Sequence, residues 1–221
     1  MPQDVKPLKR HYQSVRRQEQ AAQTRRDILA AAGVLFRERG YGQTSMTVIA
    51  NESGVAVETL YRTFGGKAAL FRAVVEAAIA GGPTRADVPV EERPAIKALI
   101  EERDPRRKVE LYAATQPGIH RRSGPLLRAL RDAAGTDAEL AGLWREMESW
   151  RLNGQGRFVG QLAEHAGLRH GLSVEDGRDI VFALCSLSVH DILVIERGWT
   201  DDRYRDWLAA TLGDALLGCQ N

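Results

Sequence analysis

The chain has 221 residues, of which 43% are hydrophobic, 27% charged and 6% aromatic, an ordinary globular composition that excludes a disordered or fibrous protein. No apolar run approaches the ~18 residues of a membrane span, and the polar, basic start from Met1 to Arg10 lacks the apolar core of a secretory signal. Cys185 and Cys219 stand far apart with no CxxC or Cys/His pattern, so no disulfide framework and no structural zinc are expected, and a reducing cytoplasm fits. The formal net charge of +2 hides an asymmetry. Residues 1–72 hold 12 Lys/Arg against 6 Asp/Glu, and the remainder is net acidic. One end is suited to a polyanion and the other is not.

In chain order, helical periodicity dominates. From Thr24 to Arg39, Ile28, Leu29, Ala32, Leu35 and Phe36 form one apolar stripe, closed by Gly40, with Tyr41 placed to pack back on it. Thr44 or Ser45 supplies a capping oxygen for a short helix to about Ser53. A second short helix runs from about Ala56 to Phe64, and after Gly65–Gly66 another extends from Lys67 to Ala80. Gly81–Gly82–Pro83, followed by Pro89 and Pro94, marks the best boundary. Beyond it the spacing predicts helices near Pro94–Glu102 and from Asp104 to a stop at Pro117–Gly118. Further helices are predicted over His120–Ala134, Asp137–Ala166, Ser173–Arg197 and Thr200–Leu217. The expected division is a basic flexible arm over 1–20, a first helical domain over 21–80, a linker over 81–93 and a second helical domain over 94–221.

The segment from Ile49 to Tyr61 has helix-turn-helix spacing. Ala50 is small where two helices approach, Gly54 tolerates the positive φ of the turn, and Ile49, Val55 and Leu60 form the apolar plug. A core hairpin is the alternative for so short a pattern. The second helix would present Val57, Glu58, Thr59 and Arg62 to base edges in the major groove. Val57 and the Thr59 methyl suit thymine methyls, and Arg62 suits guanine or a phosphate. Glu58 either accepts from a cytosine amino group or simply stabilises a helix N-terminus. Lys67, Thr44 and Ser45 are placed for backbone phosphates, and His11, Arg16, Arg17, Arg25 and Arg26 form a basic approach to the first helix.

The block from Thr24 to Ala80 resembles the DNA-binding domain of the TetR family of bacterial transcription regulators. The likeness is carried by Ile28–Ala32, Leu35–Phe36, Gly40–Tyr41, Thr44–Ser45–Met46, Ile49–Ala50, Gly54–Val55, Thr59–Leu60–Tyr61, Phe64, Lys67 and Ala69–Leu70–Phe71. A looser likeness covers Glu196–Trp199. Where many members have Ser-Lys-Gly, this chain has Ala56–Val57–Glu58, so the usual side-chain cap of the recognition helix is missing. The resemblance implies an all-α fold, a three-helix helix-turn-helix domain followed by a helical ligand-binding and dimerisation domain. It implies that Tyr61 bonds phosphate through its hydroxyl and that two protomers pair through a four-helix bundle.

One helix-turn-helix covers one half-site, so a homodimer on a palindromic double-stranded DNA operator is expected. The expected dimer surface uses Ile180, Leu184, Leu187, Ile192 and Ile195 with Tyr204, Leu208, Leu212 and Leu216, although some of these must serve their own core. Leu143, Trp144, Met147, Trp150, Arg151 and Phe158 share a helical stripe that is either core or the wall of a site for a small apolar or aromatic effector. Tyr112, Gln116, His120, His190 and Asp191 are further polar candidates, with satisfied core polarity or a dimer-interface pair as the alternative for the last two. No Ser/His/Asp set, metal-ligand spacing or phosphate-cradling loop is seen, and Gly65–Gly66–Lys67 lacks the P-loop pattern, so no catalysis, metal, cofactor or membrane partner is expected. The resulting expectation is a ligand-responsive DNA-binding regulator, a repressor released by its effector, with an effector-independent regulator as the alternative.

Overall fold

The structure, a computed structural model, describes residues 7–218, with the side chains of residues 7–15 and of Ala166 outside the description. The expectations for residues 1–6, for the side chain of His11 and for Cys219 therefore lie outside the described residues. Every regular element among the described residues is helical. None of these helices is long and apolar enough to cross a membrane. The chain divides between Ala77 and Ala78 into two compact units, just before Gly81–Gly82.

The first unit begins with α1 (Pro7–Gln43). This helix starts far earlier than Thr24, so residues 7–20 are helical where a flexible arm was expected. The segment lacks Gly or an internal Pro, and nothing local stops the helix from running back to Pro7, itself a natural first-turn residue. Helical geometry breaks at Gly40, whose φ of 74° only glycine adopts cheaply. Tyr41 then folds back, stacking at 5.8 Å on Phe36, and both rings meet Phe71 edge-on at 5.3 and 5.1 Å. Helices α2 (Met46–Ser53), α3 (Val57–Phe64) and α4 (Lys67–Ala80) complete the unit. Ile28, Leu29, Ala32, Leu35, Ile49, Leu60, Leu70 and Val74 are buried with the three rings. A core of about a dozen side chains this well buried is what lets three short helices stand on one long one.

In the second unit, α5 (Pro83–Ala86) and a 3₁₀ turn (Val90–Glu92) interrupt the segment read as a linker. Then follow α6 (Pro94–Glu101), α7 (Pro105–Ala134), α8 (Ala138–Ala166), α9 (Val174–Leu184), α10 (Leu187–His190), a π-helical turn (Asp191–Glu196) and α11 (Asp201–Leu217). The caps Asp104, Asp137, Ser173 and Thr200 each accept a backbone N–H of the first turn, which sets the starts of α7, α8, α9 and α11 where the sequence placed them.

Two boundaries differ. Pro117 and Pro125 lie inside α7, which runs on where a stop at Pro117–Gly118 was expected. Each removes one ladder hydrogen bond, at a cost of about 3 kcal/mol, but Val109, Ala113, Leu126 and Leu130 are all buried along the same helix, and that burial holds it together. Conversely, the helix expected over Ser173–Arg197 breaks at Cys185. Ser186 turns extended and caps the next segment through Val189 N at 3.2 Å. Nothing in that apolar stretch announces the break, because serine breaks a helix only when its hydroxyl finds a backbone N–H.

Candidate nucleic-acid interface

Helices α2 and α3 meet at Gly54, whose φ of 67° and ψ of 28° are left-handed. Its N–H closes α2 onto the carbonyls of Ala50 and Asn51, and Val55 N bonds Ala50 O at 3.0 Å. Ile49 and Leu60 of the expected plug are buried at the crossing with the small Ala50, and Val55, its third member, is half-buried. In α3 only Leu60 is buried. Ala56 provides no side-chain cap, in line with the missing serine, and Glu58 occupies the first turn. An eight-residue helix with one anchoring side chain has most of its surface available to a partner.

That surface carries half of the expected contacts. Glu58, Tyr61 and Arg62 are exposed, Tyr61 at 51%, and Val57 and Thr59 are half-buried. The Arg62 guanidinium donates to Thr59 Oγ1 at 3.2 Å, which aligns two candidate base-reading groups on one side of α3. Arg25 lays its guanidinium 4.6 Å above the Phe64 ring and so brings a positive charge from α1 to the end of α3. Lys67, at the start of α4, sits 4.2 Å over the Tyr41 ring. Arg26 lies on α1 and donates to Gln23 Oε1 at 2.8 Å. The structure thus gathers Val57, Glu58, Thr59, Tyr61 and Arg62 on one helix, with Arg25 at its end. Ser45 is exposed at the start of α2 and is the residue that caps it, through Val48 N at 3.2 Å.

Thr44 needs correction. It is fully buried, and its hydroxyl reaches the carbonyls of Gly40 and Leu35 at 2.8 and 3.3 Å. Its work is to hold the kinked end of α1, and it offers nothing to a phosphate.

In the second unit the residues expected on the effector wall have unlike surroundings. Tyr112 and Phe158 stack on each other at 3.9 Å, Met147 is buried, Trp144 is half-buried and Trp150 is 38% exposed. Arg151 is engaged as a fork on Glu148 at 2.9 and 3.1 Å, donates to Phe182 O at 2.9 Å and lies 3.6 Å from the Phe182 ring. A 29-residue helix turns its stripe past several neighbours, so residues in sequence register do not share one partner. His190 is buried against His120, their rings stacked at 4.5 Å. The partner for the next residue, which sequence reading did not identify, is Arg128, whose guanidinium donates to Asp191 at 2.7 Å with Arg131 at 3.7 Å.

The expected dimer surface is also corrected. Tyr204, Leu208, Leu212 and Leu216 are completely buried within the unit's own core, with Val181, Leu162 and Val159, and Leu187 is buried too. Ile180 and Leu184 pack at the margin of that core. Ile192 and Ile195, at 49% and 62%, face outward. Periodicity locates an apolar face without saying which chain covers it, and here α7 and α9 cover that of α11, while α8 packs on α9.

Comparison with known proteins agrees with this architecture. Residues 28–74 match the family model described as bacterial regulatory proteins, tetR family. No curated protein sequence matches the chain. Among solved structures, the transcriptional regulator FadR from Bacillus subtilis in complex with stearoyl-CoA superposes with a TM-score of 0.63 at 18% identity, over 88% of this chain and 98% of that one. FadR from Bacillus halodurans, a fatty acid degradation regulator, gives 0.61 at 16% over 86% and 94%. Native NalD, the secondary repressor of the MexAB-OprM multidrug efflux pump in Pseudomonas aeruginosa, gives 0.64 at 23% over 88% and 97%. At such identities these structures share the fold.

Proposed function

We propose that this chain, whose residues 28–74 match the tetR family of bacterial regulatory proteins, is a homodimeric transcriptional regulator of that family, a repressor that binds a palindromic DNA operator and leaves it when a small molecule occupies the second unit. Residues 21–80 serve as the DNA-binding domain and 94–221 as the effector-binding and dimerisation domain, in a cytoplasmic protein that is a regulator and no enzyme. The observation that carries this reading is α3, an eight-residue helix anchored by Leu60 alone with Glu58, Tyr61 and Arg62 turned outward. Its leading end reads bases through Val57, Glu58 and Thr59, with Arg62 on guanine or phosphate, while Tyr61, Ser45, Lys67, Arg25 and Arg26 hold the backbone. Dimerisation uses the outward face of α9 and the π-helical turn, where Ile192 and Ile195 are exposed beside Ile180 and Leu184. NalD is a repressor and one FadR binds an acyl-CoA thioester, which supports repression and release by a small molecule here.

A second reading, an effector-independent regulator whose second unit only dimerises, draws on the Tyr112–Phe158 stack that fills the expected wall. Selection from a randomised duplex library tests the DNA reading. Enrichment of an inverted repeat with half-sites about one helical turn apart is expected. Failure to enrich any sequence would overturn it.

A further inference from the structure

Inside the second unit, five buried side-chain atoms have no hydrogen-bond partner among the described residues: Lys108 Nζ, whose charge is felt by Glu102 and Arg103, and a group of four, His120 Nε2, Gln155 Oε1, His190 Nδ1 and Tyr204 Oη. The four come from α7, α8, α10 and α11, and they are neighbours. The His120 and His190 rings stack at 4.5 Å, and the Tyr204 ring stands edge-on to them at 6.1 and 5.3 Å. The Tyr112 hydroxyl is close enough to Gln155 and Cys185 to feel both electrostatically, and His120 likewise feels the Cys185 backbone, which places Gln155 and Tyr112 beside the stacked rings. Buried polar atoms are paired in the great majority of cases, so several orphans in one place mark groups arranged for a partner that comes and goes.

The charge balance narrows that partner. Burial, then the neighbouring His190 and Arg151, push His120 down to about 3, so its ring stays neutral. Burial likewise holds His190 below its usual range, against the opposing pull of Asp191, whose carboxylate is 3.6 Å away and beyond hydrogen-bond length. The nearest cation, Arg151, is committed to Glu148 and the Phe182 carbonyl, and Asp191 is committed to Arg128. The charged groups nearest the rings, Arg151 and Asp191, thus already have counter-ions, and a bare ion in such a setting is strongly disfavoured. A neutral imidazole offers one donor and one acceptor, Gln155 Oε1 only accepts and a tyrosine hydroxyl does both. Three of the four groups sit on flat rings, and aliphatic side chains such as Val181 and Leu208 complete the core around Tyr204.

Resting on the reading of this unit as the effector domain, we infer that the cluster is the seat of a small uncharged aromatic ligand bearing a hydroxyl group. Its ring packs among the rings of Tyr112, His120, His190 and Tyr204, and its hydroxyl donates to Gln155 Oε1 or a bare imidazole nitrogen while accepting from the Tyr204 hydroxyl. The rings touch in this structure, so the ligand must part them. His190 lies on the four-residue α10, which is separated from α9 at Cys185–Ser186, so its ring is carried by a segment distinct from the longer helices around it.

Phenol is the probe, with benzene and benzoate as the apolar and charged comparators, titrated calorimetrically into the full chain. Saturable phenol binding is expected, at least tenfold tighter than that of either comparator, with the side-chain nitrogen resonances of His120 and His190 shifting as the site fills. His120→Phe and Gln155→Leu should each weaken phenol at least tenfold. The comparison among the three probes needs no variant and stands if these fail to fold. Equal binding of benzene would overturn the role of the polar atoms, tighter benzoate would overturn neutrality, and no saturable phenol binding would overturn the site. DNA affinity is followed in parallel. Phenol that binds without releasing DNA keeps this site and removes ligand-driven release, whereas release by another compound with phenol unbound does the reverse.

Discussion

The two units keep their polar chemistry in opposite places. In the first, the buried hydroxyl of Thr44 is answered twice by backbone carbonyls, and the groups proposed to meet a partner stand outside on α3. In the second, the outer faces carry ordinary ion pairs such as Arg107–Glu110, while imidazole, amide and phenol groups sit unpaired inside. An exposed polar face on a firmly anchored short helix suits a rigid polyanion that cannot enter a protein. Interior polar groups suit a molecule small enough to be enclosed.

This contrast can be broken or sharpened by substitution. The largest expected effect is on Leu60→Ala, which empties the sole anchor of α3 and should cost the first unit about 2–5 kcal/mol by chemical denaturation, abolishing DNA binding with it. If stability falls and DNA binding persists, α3 is not the reading element. Next comes acid. Above about pH 6.5 His120 is neutral folded or unfolded and contributes nothing to pH dependence; as pH falls the unfolded chain takes up a proton that the folded site refuses until about 3. Stability should therefore drop by up to about 1.4 kcal/mol per pH unit between those limits, and His120→Phe should flatten the profile. An unchanged profile in the variant would show that the imidazole is not held neutral. Smaller is Thr44→Val, expected to cost about 1–2 kcal/mol of stability while leaving the salt dependence of DNA binding untouched. A changed salt slope would return Thr44 to the phosphate contacts. Smallest is Lys67→Ala, expected to weaken all duplexes alike and to lower the salt slope by about one unit in an anisotropy series. Loss of sequence preference at constant slope would contradict a phosphate role.

What could be read from residues alone follows the same division. The turn at Gly54, the small Ala50, the plug residues Ile49 and Leu60, and the helix starts at Asp104, Asp137 and Thr200 are set by local devices within a few residues of what they control, and all stand where spacing put them. Thr44 was misplaced because a threonine before a helix looks the same whether its hydroxyl faces solvent or the preceding carbonyls. The failures in the second unit depend on distant packing. Pro117 is tolerated because α7 is buried along its length, and Tyr204, Leu208, Leu212 and Leu216 are covered by their own unit because other helices reach them first. The polar cluster was legible only as separate residues, since Tyr112, Gln155, Cys185 and Tyr204 share no sequence register.

The central claim, that the outer face of α3 reads bases, is tested most directly by the specificity ratio of Arg62→Ala. Affinity is measured by anisotropy for a library-selected duplex and a scrambled one of the same length, for the native chain and the variant at one salt concentration. Loss of about 1–3 kcal/mol on the selected duplex, with binding to the scrambled one lowered far less, is the expected result. An equal loss on both would leave Arg62 a phosphate contact, and no loss on either would contradict the assignment of α3 to the groove.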